Sequence, residues 1–537
     1  MQPQTERPAH VPSVAALLKF GNDLMDRGEV AETIAAYRSL TMLAPQFSPG
    51  YRNLALALER GGELGEALSA SARAIELQGD DLDAYLIMAR LLLKLERMEQ
   101  AVAMYELAAL AAPARSDIQA SLAAALARQG RLDEASAACR KAIALSPQNV
   151  GAWLNLGIIS SKRGDLDGAV EAYRQAVSID PNSSEAFTNL GAALGSLGRS
   201  AAAIEASARA VALRPLDAEL HYNHAMLLLR AGDLKAGFGE FEWRLSHASP
   251  KFRPRSFDVP RWHGEFRDGR TLLIHAEQGL GDSLHFVRFV TQAATGGPVV
   301  LQVQPPLVEL LRDSLEVTVI SRDEPVPRFD LHVPLMSLPF ELGTTMETIP
   351  AQMPYLKASP AKAVEWRKAL TGYPGLRVGV VWAGSPGHRH DHLRSLSPEL
   401  LLPRLVMPGV QLFSLQKQPR ADDRILLERL NGEIVDLAPS LASLADTAAA
   451  VSAMDLVISV DTAVAHLAGA LGKPTWILLP HVLDWRWLYA REDTPWYPTA
   501  RLFRQARSGD WTSVLDRLPL ELARFAAQAC AHRAAAV

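Results

Sequence analysis

The sequence predicts an all-α repeat solenoid followed by an α/β domain made of two facing Rossmann-like halves, and three observations predict it. Proline recurs at Pro45, Pro113, Pro147, Pro181 and Pro215, at spacings of 68, 34, 34 and 34 residues. Beyond residue 270, short β-rich runs alternate with helical ones, the pattern of parallel sheets covered on both faces. Between these regions the stretch 249–270 carries Pro250, Pro254 and Pro260 among scattered aromatics; it reads as a linker packed on a domain edge.

A 34-residue helix–turn–helix period is that of the tetratricopeptide repeat. Placing each proline at position 32 gives repeats at 14–47, 48–81, 82–115, 116–149, 150–183 and 184–217, with a degenerate seventh from 218; the second has Gly79 in place of proline. Repeat 150–183 carries the full pattern: Trp153, Leu156, Gly157, Ala169, Tyr173, Ala176 and Pro181. Small residues at Gly157 and Ala169 let paired helices approach, while Trp153 and Tyr173 fill the gaps between neighbours. Steps such as Gly130-Arg131-Leu132 and Gly164-Asp165-Leu166 stop one helix and start the next.

Position 6 of the repeats, on the first helix of each pair, holds Asn53, Asn155, Asn189 and Asn223, interrupted by Ile87 and Ser121. An asparagine amide offers donors and an acceptor, so a row of them can pair with an extended peptide backbone. The row resembles the asparagine ladder of the eukaryotic protein O-linked N-acetylglucosamine transferase. The alternative is that asparagine simply tolerates an exposed helix site.

In the α/β region, runs at 271–275, 299–303, 317–320 and 329–333 form a first block, and 377–382, 411–415, 455–460 and 475–479 a second, split near 371–375. Ligands in such folds sit beyond the carboxyl ends of the strands, and two motifs fall there. His275-Ala276-Glu277-Gln278-Gly279-Leu280-Gly281-Asp282 runs from a strand through a glycine turn into a helix at 283–292. Gly279 and Gly281 permit tight backbone geometry, and Asp282 is either a helix N-cap or a general base. The second motif, Asp461-Thr462-Ala463-Val464-Ala465-His466, leads from a strand into a short helix. The amides of 462–464 form a ready phosphate site at the positive helix end. His466 is either a core histidine or a donor contact.

The glycine-rich loop after 377–382 ends in His388-Arg389-His390-Asp391-His392-Leu393-Arg394. The histidine spacing fits no standard zinc pattern; Arg389 and Arg394 suit a leaving phosphate, with Lys417 a further candidate. Asp484-Trp485-Arg486-Trp487 and Pro495-Trp496-Tyr497 form an aromatic cluster that either packs a connection or stacks on a ligand. Asp-x-Asp occurs only in repeat turns, at Asp81-Leu82-Asp83 and Asp165-Leu166-Asp167, so no divalent metal and no cofactor are expected.

Together the two motifs resemble those of bacterial heptosyltransferases and their repeat-bearing relatives, which are glycosyltransferases of the GT-B type. The resemblance covers about 270–507 and implies that Asp282 is the base and that Asp461, Thr462, Ala463 and His466 hold a sugar nucleotide. The first half is short, and repeats precede it, which points to a protein acceptor. Among repeat-fused enzymes the chain resembles flagellin-modifying glycosyltransferases of motile bacteria. That likeness implies a nonulosonic acid donor, such as a CMP-linked sugar, and flagellin as partner. The expected organisation is a flexible N-terminus (1–13), the solenoid (14–247), a linker (248–270), an acceptor-side half (271–372) and a sugar-nucleotide half with a C-terminal helix (373–537). Competing readings are a non-catalytic scaffold and a glycan-directed enzyme.

Bulk properties agree. The 537 residues carry a formal charge of −4 and 48% hydrophobic residues, which argues against nucleic-acid binding by bulk charge. Two cysteines, Cys139 and Cys530, suit a reducing compartment. No 18-residue apolar run and no signal-peptide pattern occur. A soluble, cytoplasmic protein with no membrane insertion is expected.

Overall fold

The computed structural model describes residues 13–247, 255–387, 391–430, 432–482 and 484–535. The expected flexible N-terminus lies almost wholly outside them, as does 248–254 of the expected linker. The chain forms two compact units, one ending at Ala193 and one starting at Leu194.

The first unit is all helical. First helices of successive repeats begin at Val14, Ser48, Leu82, Ser116, Val150 and Ser184, and their partners at Val30, Leu64, Met98, Leu132 and Leu166. Both series keep the 34-residue period read from the prolines. The turn between paired helices needs a left-handed residue at position 15: Gly28 (φ 76°), Gly62 (81°), Gly130 (85°) and Gly164 (80°) supply it. Only glycine takes that conformation without steric cost. Helix contact depends on the small residues. A Cβ on Gly157 would lie 2.4 Å from Tyr173, and one on Gly21 would lie 2.5 Å from Tyr37.

The second unit opens with the last repeats, including the helices Ser200–Leu213, Ala218–Ala231 and Leu234–Phe241. Two parallel sheets follow. The first contains β1 (Leu272–His275), β2 (Val299–Val303), β3 (Thr318–Ser321) and β4 (Leu331–Pro334) in the order β3-β2-β1-β4, with Ile274 of β1 level with Leu301 and Val333. The second contains β5 (Leu376–Val381), β6 (Val410–Ser414), β7 (Ile434–Asp436), β8 (Leu456–Val460), β9 (Thr475–Leu479) and β10 (Ala500–Arg504), ordered β10-β9-β8-β5-β6-β7. Counted from its own first strand, the second sheet reads 3-2-1-4-5-6, the Rossmann order, and the first reads 3-2-1-4. β2, β8 and β9 are buried along their whole length, as strands covered on both faces require. One apolar core joins Ala225 and Phe238 of the last repeats, β1 to β4, Ile477 and Leu479 of β9, and Trp485, Trp487, Trp496 and Tyr497.

Several expectations need correction. Among the described residues the sheets hold ten strands rather than eight, because β7 has three residues and β10 has a charged residue at positions 501 and 504 that masks its alternation. The helix expected at 283–292 is instead Leu280–Phe286, a 3-10 turn Val287–Phe289 and Val290–Ala294. The described part of the linker is packed, as its reading as a segment on a domain edge expects: Trp262 is buried, and buried Arg267 donates to the carbonyls of Ala293, Gly297 and Pro298.

Candidate active site

In each sheet the order reverses beside the first strand, between β1 and β4 and between β5 and β8. Loops leaving the carboxyl ends diverge at such a point and leave a crevice. The loops after β1, β5, β6, β8 and β9 line one cleft of ≈ 700 Å³, within the size range of small-ligand sites.

Of the residues singled out in the sequence, Gly279, Gly281, Asp282, Arg394, Lys417, Asp461, Thr462, Ala463 and His466 all line this cleft. Arg389 lies outside the described residues, with His388 and His390. The two motifs meet directly: a Cβ on Gly281 would lie 3.2 Å from the His466 ring and 3.6 Å from Ala463 Cα. Glycine at 281 is therefore what lets the first-half turn approach the helix Ala463–Ala470.

Asp282 is not the N-cap. Gly279 holds that place, and Asp282 lies three residues on, its Oδ2 accepting the Gly279 N–H at 3.0 Å. The other oxygen, Oδ1, accepts from Arg486 at 2.7 Å, and Arg486 also donates to Asp484 Oδ1 at 2.9 Å. Burial alone would raise Asp484, but the Arg486 charge overcomes it and holds that carboxyl below the usual range. Asp461 behaves oppositely. Burial first, and the neighbouring Asp484 charge second, push it up to about 6.

Arg394 donates to the Asp461 carbonyl at 2.8 Å and pairs with Asp391 at 3.3 Å. This places a guanidinium between the glycine-rich loop and the helix tip. Gly384 makes room for it, since a Cβ there would meet the Arg394 guanidinium at 2.5 Å. Lys417 Nζ donates to the Ala442 carbonyl at 3.1 Å on the same wall. His466 combines both of its readings: it lines the cleft, yet its Nδ1 lies 2.9 Å from the Tyr497 hydroxyl and its ring stacks on Trp487. Burial and the Arg486 charge push it down to about 3, so it is neutral. Gly469 leaves the space that Tyr497 fills, with a hypothetical Cβ 2.4 Å from that ring.

The aromatic cluster is core. Trp485 is 3% exposed and Trp487, Trp496 and Tyr497 are 0%, so these rings present no face to a ligand. The charged residues among them were the part overlooked: Asp484 and Arg486 reach the cleft. Glu277 and Arg244 were also missed. Arg244, fully buried, donates to Glu277 at 3.1 Å, Glu242 at 2.6 Å and Ser337 at 2.7 Å, and Glu277 accepts the Met336 N–H at 3.2 Å. That network fixes the loop two residues ahead of Gly279. Glu277 stood in the quoted motif, but nothing in the sequence pairs it with Arg244.

The expected asparagine row is partly consumed by the repeats themselves. Asn155 donates its amide to the Ala120 carbonyl at 2.9 Å, and Asn53 donates to Asn22 at 3.3 Å. Asn189 and Asn223 are half-buried on their helices.

Comparison with known proteins agrees with this layout. Segments 18–83, 82–115, 116–159, 161–198 and 188–242 match tetratricopeptide repeat families, and 404–478 matches Glycosyltransferase family 9 (heptosyltransferase). The latter segment includes Asp461 to His466 but not Asp282. Protein FlbA of Caulobacter vibrioides is 31% identical over 338 residues, covering 57% of this chain and 55% of that protein; the chain thus spans about half the length of this curated relative. Among solved structures, a tetratricopeptide repeat protein from Parabacteroides merdae is 17% identical over 44% of this chain and 94% of its own, with a TM-score of 0.39. YrrB, a TPR protein with an unusual peptide-binding site, is 23% identical over 34% of this chain and 93% of its own, with a TM-score of 0.28. By the family matches, segments similar to tetratricopeptide repeats precede a segment similar to Glycosyltransferase family 9.

Proposed function

We propose that the protein is a metal-independent, inverting glycosyltransferase of the GT-B type that moves a sugar from a nucleotide-sugar to serine or threonine hydroxyls of a protein held by the repeats. The observation that carries this reading is that Asp282 and the 462–464 helix tip line one cleft. Asp282 takes the proton of the acceptor hydroxyl as its oxygen attacks the anomeric carbon. The bond from that carbon to the phosphate oxygen breaks, and Arg394, Arg389 and the 462–464 amides receive the departing negative charge. Each preorganised donor of this kind contributes about 3 kcal/mol to lowering the barrier. Lys417, Asp461, Thr462, Ala463 and His466 shape the donor side, and Gly279 and Gly281 set the turn that presents Asp282.

No cofactor or metal enters this mechanism, and transfer should persist in a chelator. The resemblance noted in the sequence makes flagellin, carrying a CMP-derived nonulosonic acid, the acceptor and sugar to try first, in the cytoplasm. Among the described residues no helix is long and apolar enough to cross a membrane. Intact masses of flagellin and other secreted proteins, from cells with and without this gene, test the reading. A uniform mass increment lost with the gene supports it; unchanged masses with partner binding retained would leave a non-catalytic scaffold instead.

A further inference from the structure

The segment 484–491 touches both the cleft and the last repeats. At one end Arg486 holds Asp282 and Asp484. Its guanidinium lies over the rings of Trp485 (4.6 Å) and Phe286 (5.6 Å), and it is 5% exposed. Trp485 in turn meets Phe238 of the helix Leu234–Phe241 edge-on at 5.6 Å and Phe286 of the Asp282 helix at 6.2 Å. At the other end the Tyr489 hydroxyl donates to the Gly195 carbonyl at 2.9 Å and accepts from Arg230 at 3.4 Å. Glycine at 195 leaves space for it, because a Cβ there would sit 3.3 Å from that hydroxyl and 2.7 Å from Leu227.

The backbone on either side of Tyr489 is held against its own preference. Leu488 has φ 52° and ψ 176°, and Ala490 has φ 49°. The first value falls in a region open almost only to glycine, and such conformations persist where surrounding contacts over-determine them. The contacts are visible: Arg504 donates to the carbonyls of Trp487 (3.0 Å), Leu488 (2.8 Å) and Arg491 (3.2 Å).

We propose that Tyr489 is a positioning residue for Asp282, and that the segment 484–491 transmits the placement of the last repeats to the carboxylate through Arg486. The inference deepens the transferase reading and rests on it for its catalytic consequence. A chain engaged by the terminal repeats would thereby meet a base already aimed across the cleft. The hydrogen-bond partners of the Tyr489 hydroxyl, Gly195 and Arg230, do not line the cleft, so its effect on Asp282 passes through the segment.

The test compares the full-length protein with its Tyr489→Phe and Arg230→Gln variants by amide hydrogen exchange and by turnover. Tyr489→Phe keeps the ring and removes only the hydroxyl, which preserves packing. The expected result is exchange about tenfold faster over 279–286 in both variants, with kcat about tenfold lower and donor KM unchanged. Faster exchange confined to peptides containing residues 195 and 230, with 279–286 at the wild-type rate, would overturn the proposal. Faster exchange at 279–286 in a protein that transfers no sugar would sustain the positioning role and remove the transferase reading instead.

Discussion

Positive-φ backbone in the repeat turns and positive-φ backbone beside the cleft are occupied by different residues. In the repeats, position 15 holds Gly28, Gly62, Gly130, Gly164, Gly198 and Gly232, at φ between 71° and 91°, with Glu96 at φ 60° in the third repeat. Beside the cleft, Leu488 and Ala490 take φ 52° and 49° with no glycine between them. A repeat turn is chosen by its own short sequence, so glycine is the economical solution and the pattern recurs. The cleft segment is bent by distant partners, Arg504, Arg230 and Gly195, and its sequence is written for its side chains rather than its backbone. Local rules therefore govern the repeats, and long-range pairs govern the site.

That contrast can be broken or sharpened by substitution. The largest stability effect is expected at Asp461, whose carboxyl is raised to about 6 from an ordinary 3.8. The folded state keeps this proton to a higher pH than the unfolded chain, so wild-type stability falls as pH rises from about 4 to about 6 and then levels. Asp461→Asn should remove that loss. The variant should exceed wild type by at most about 3 kcal/mol at pH 8 and match it at pH 4. Nine of the ten tryptophans lie beyond residue 193, so urea unfolding followed by fluorescence reports on the relevant unit. Parallel curves for the two proteins across this range would refute the assignment.

A smaller effect belongs to the repeats. Gly157→Ala drives a methyl to 2.4 Å from the Tyr173 ring and should cost about 2 kcal/mol through overpacking, independently of pH. Circular dichroism melts at pH 5 and pH 8 check both statements; a stabilised variant would show that the helix pair has slack. The smallest effects come from the left-handed positions themselves. Glu96→Gly should raise stability by about 0.5–1 kcal/mol, the left-handed penalty less the chain entropy of glycine. Ala490→Gly, at an exposed site, should give a similar gain. If only Glu96→Gly stabilises, the cleft segment draws its bend from something other than the backbone conformations of Leu488 and Ala490.

The same division explains what could be read from the residues alone. The period of prolines and glycines placed every repeat helix, because each repeat obeys the same local constraints. Runs such as 299–303 and 475–479 were legible as strands because both faces are buried; the three residues of β7 were too few to show a period. Asp282, Asp461 and Arg394 stood out through glycine turns and strand ends. Arg486 did not, because its meaning depends on Asp282, 204 residues away. The roles of Trp485 and Trp487 stayed open for a related reason: aromatic rings near a cleft signal burial and binding alike, and only three-dimensional packing separates them.

The central claim is that Asp282 faces the 462–464 helix tip across a shared cleft and serves there as the base for sugar transfer. The most direct measurement is the intact mass of flagellin isolated from cells carrying either the wild-type gene or Asp282→Asn as its only copy, with binding of flagellin to each purified full-length protein measured alongside. The account predicts a sugar increment with wild type, a loss of about 100-fold or more in modified product with the variant, and equal binding by both. An undiminished increment with Asp282→Asn would contradict it.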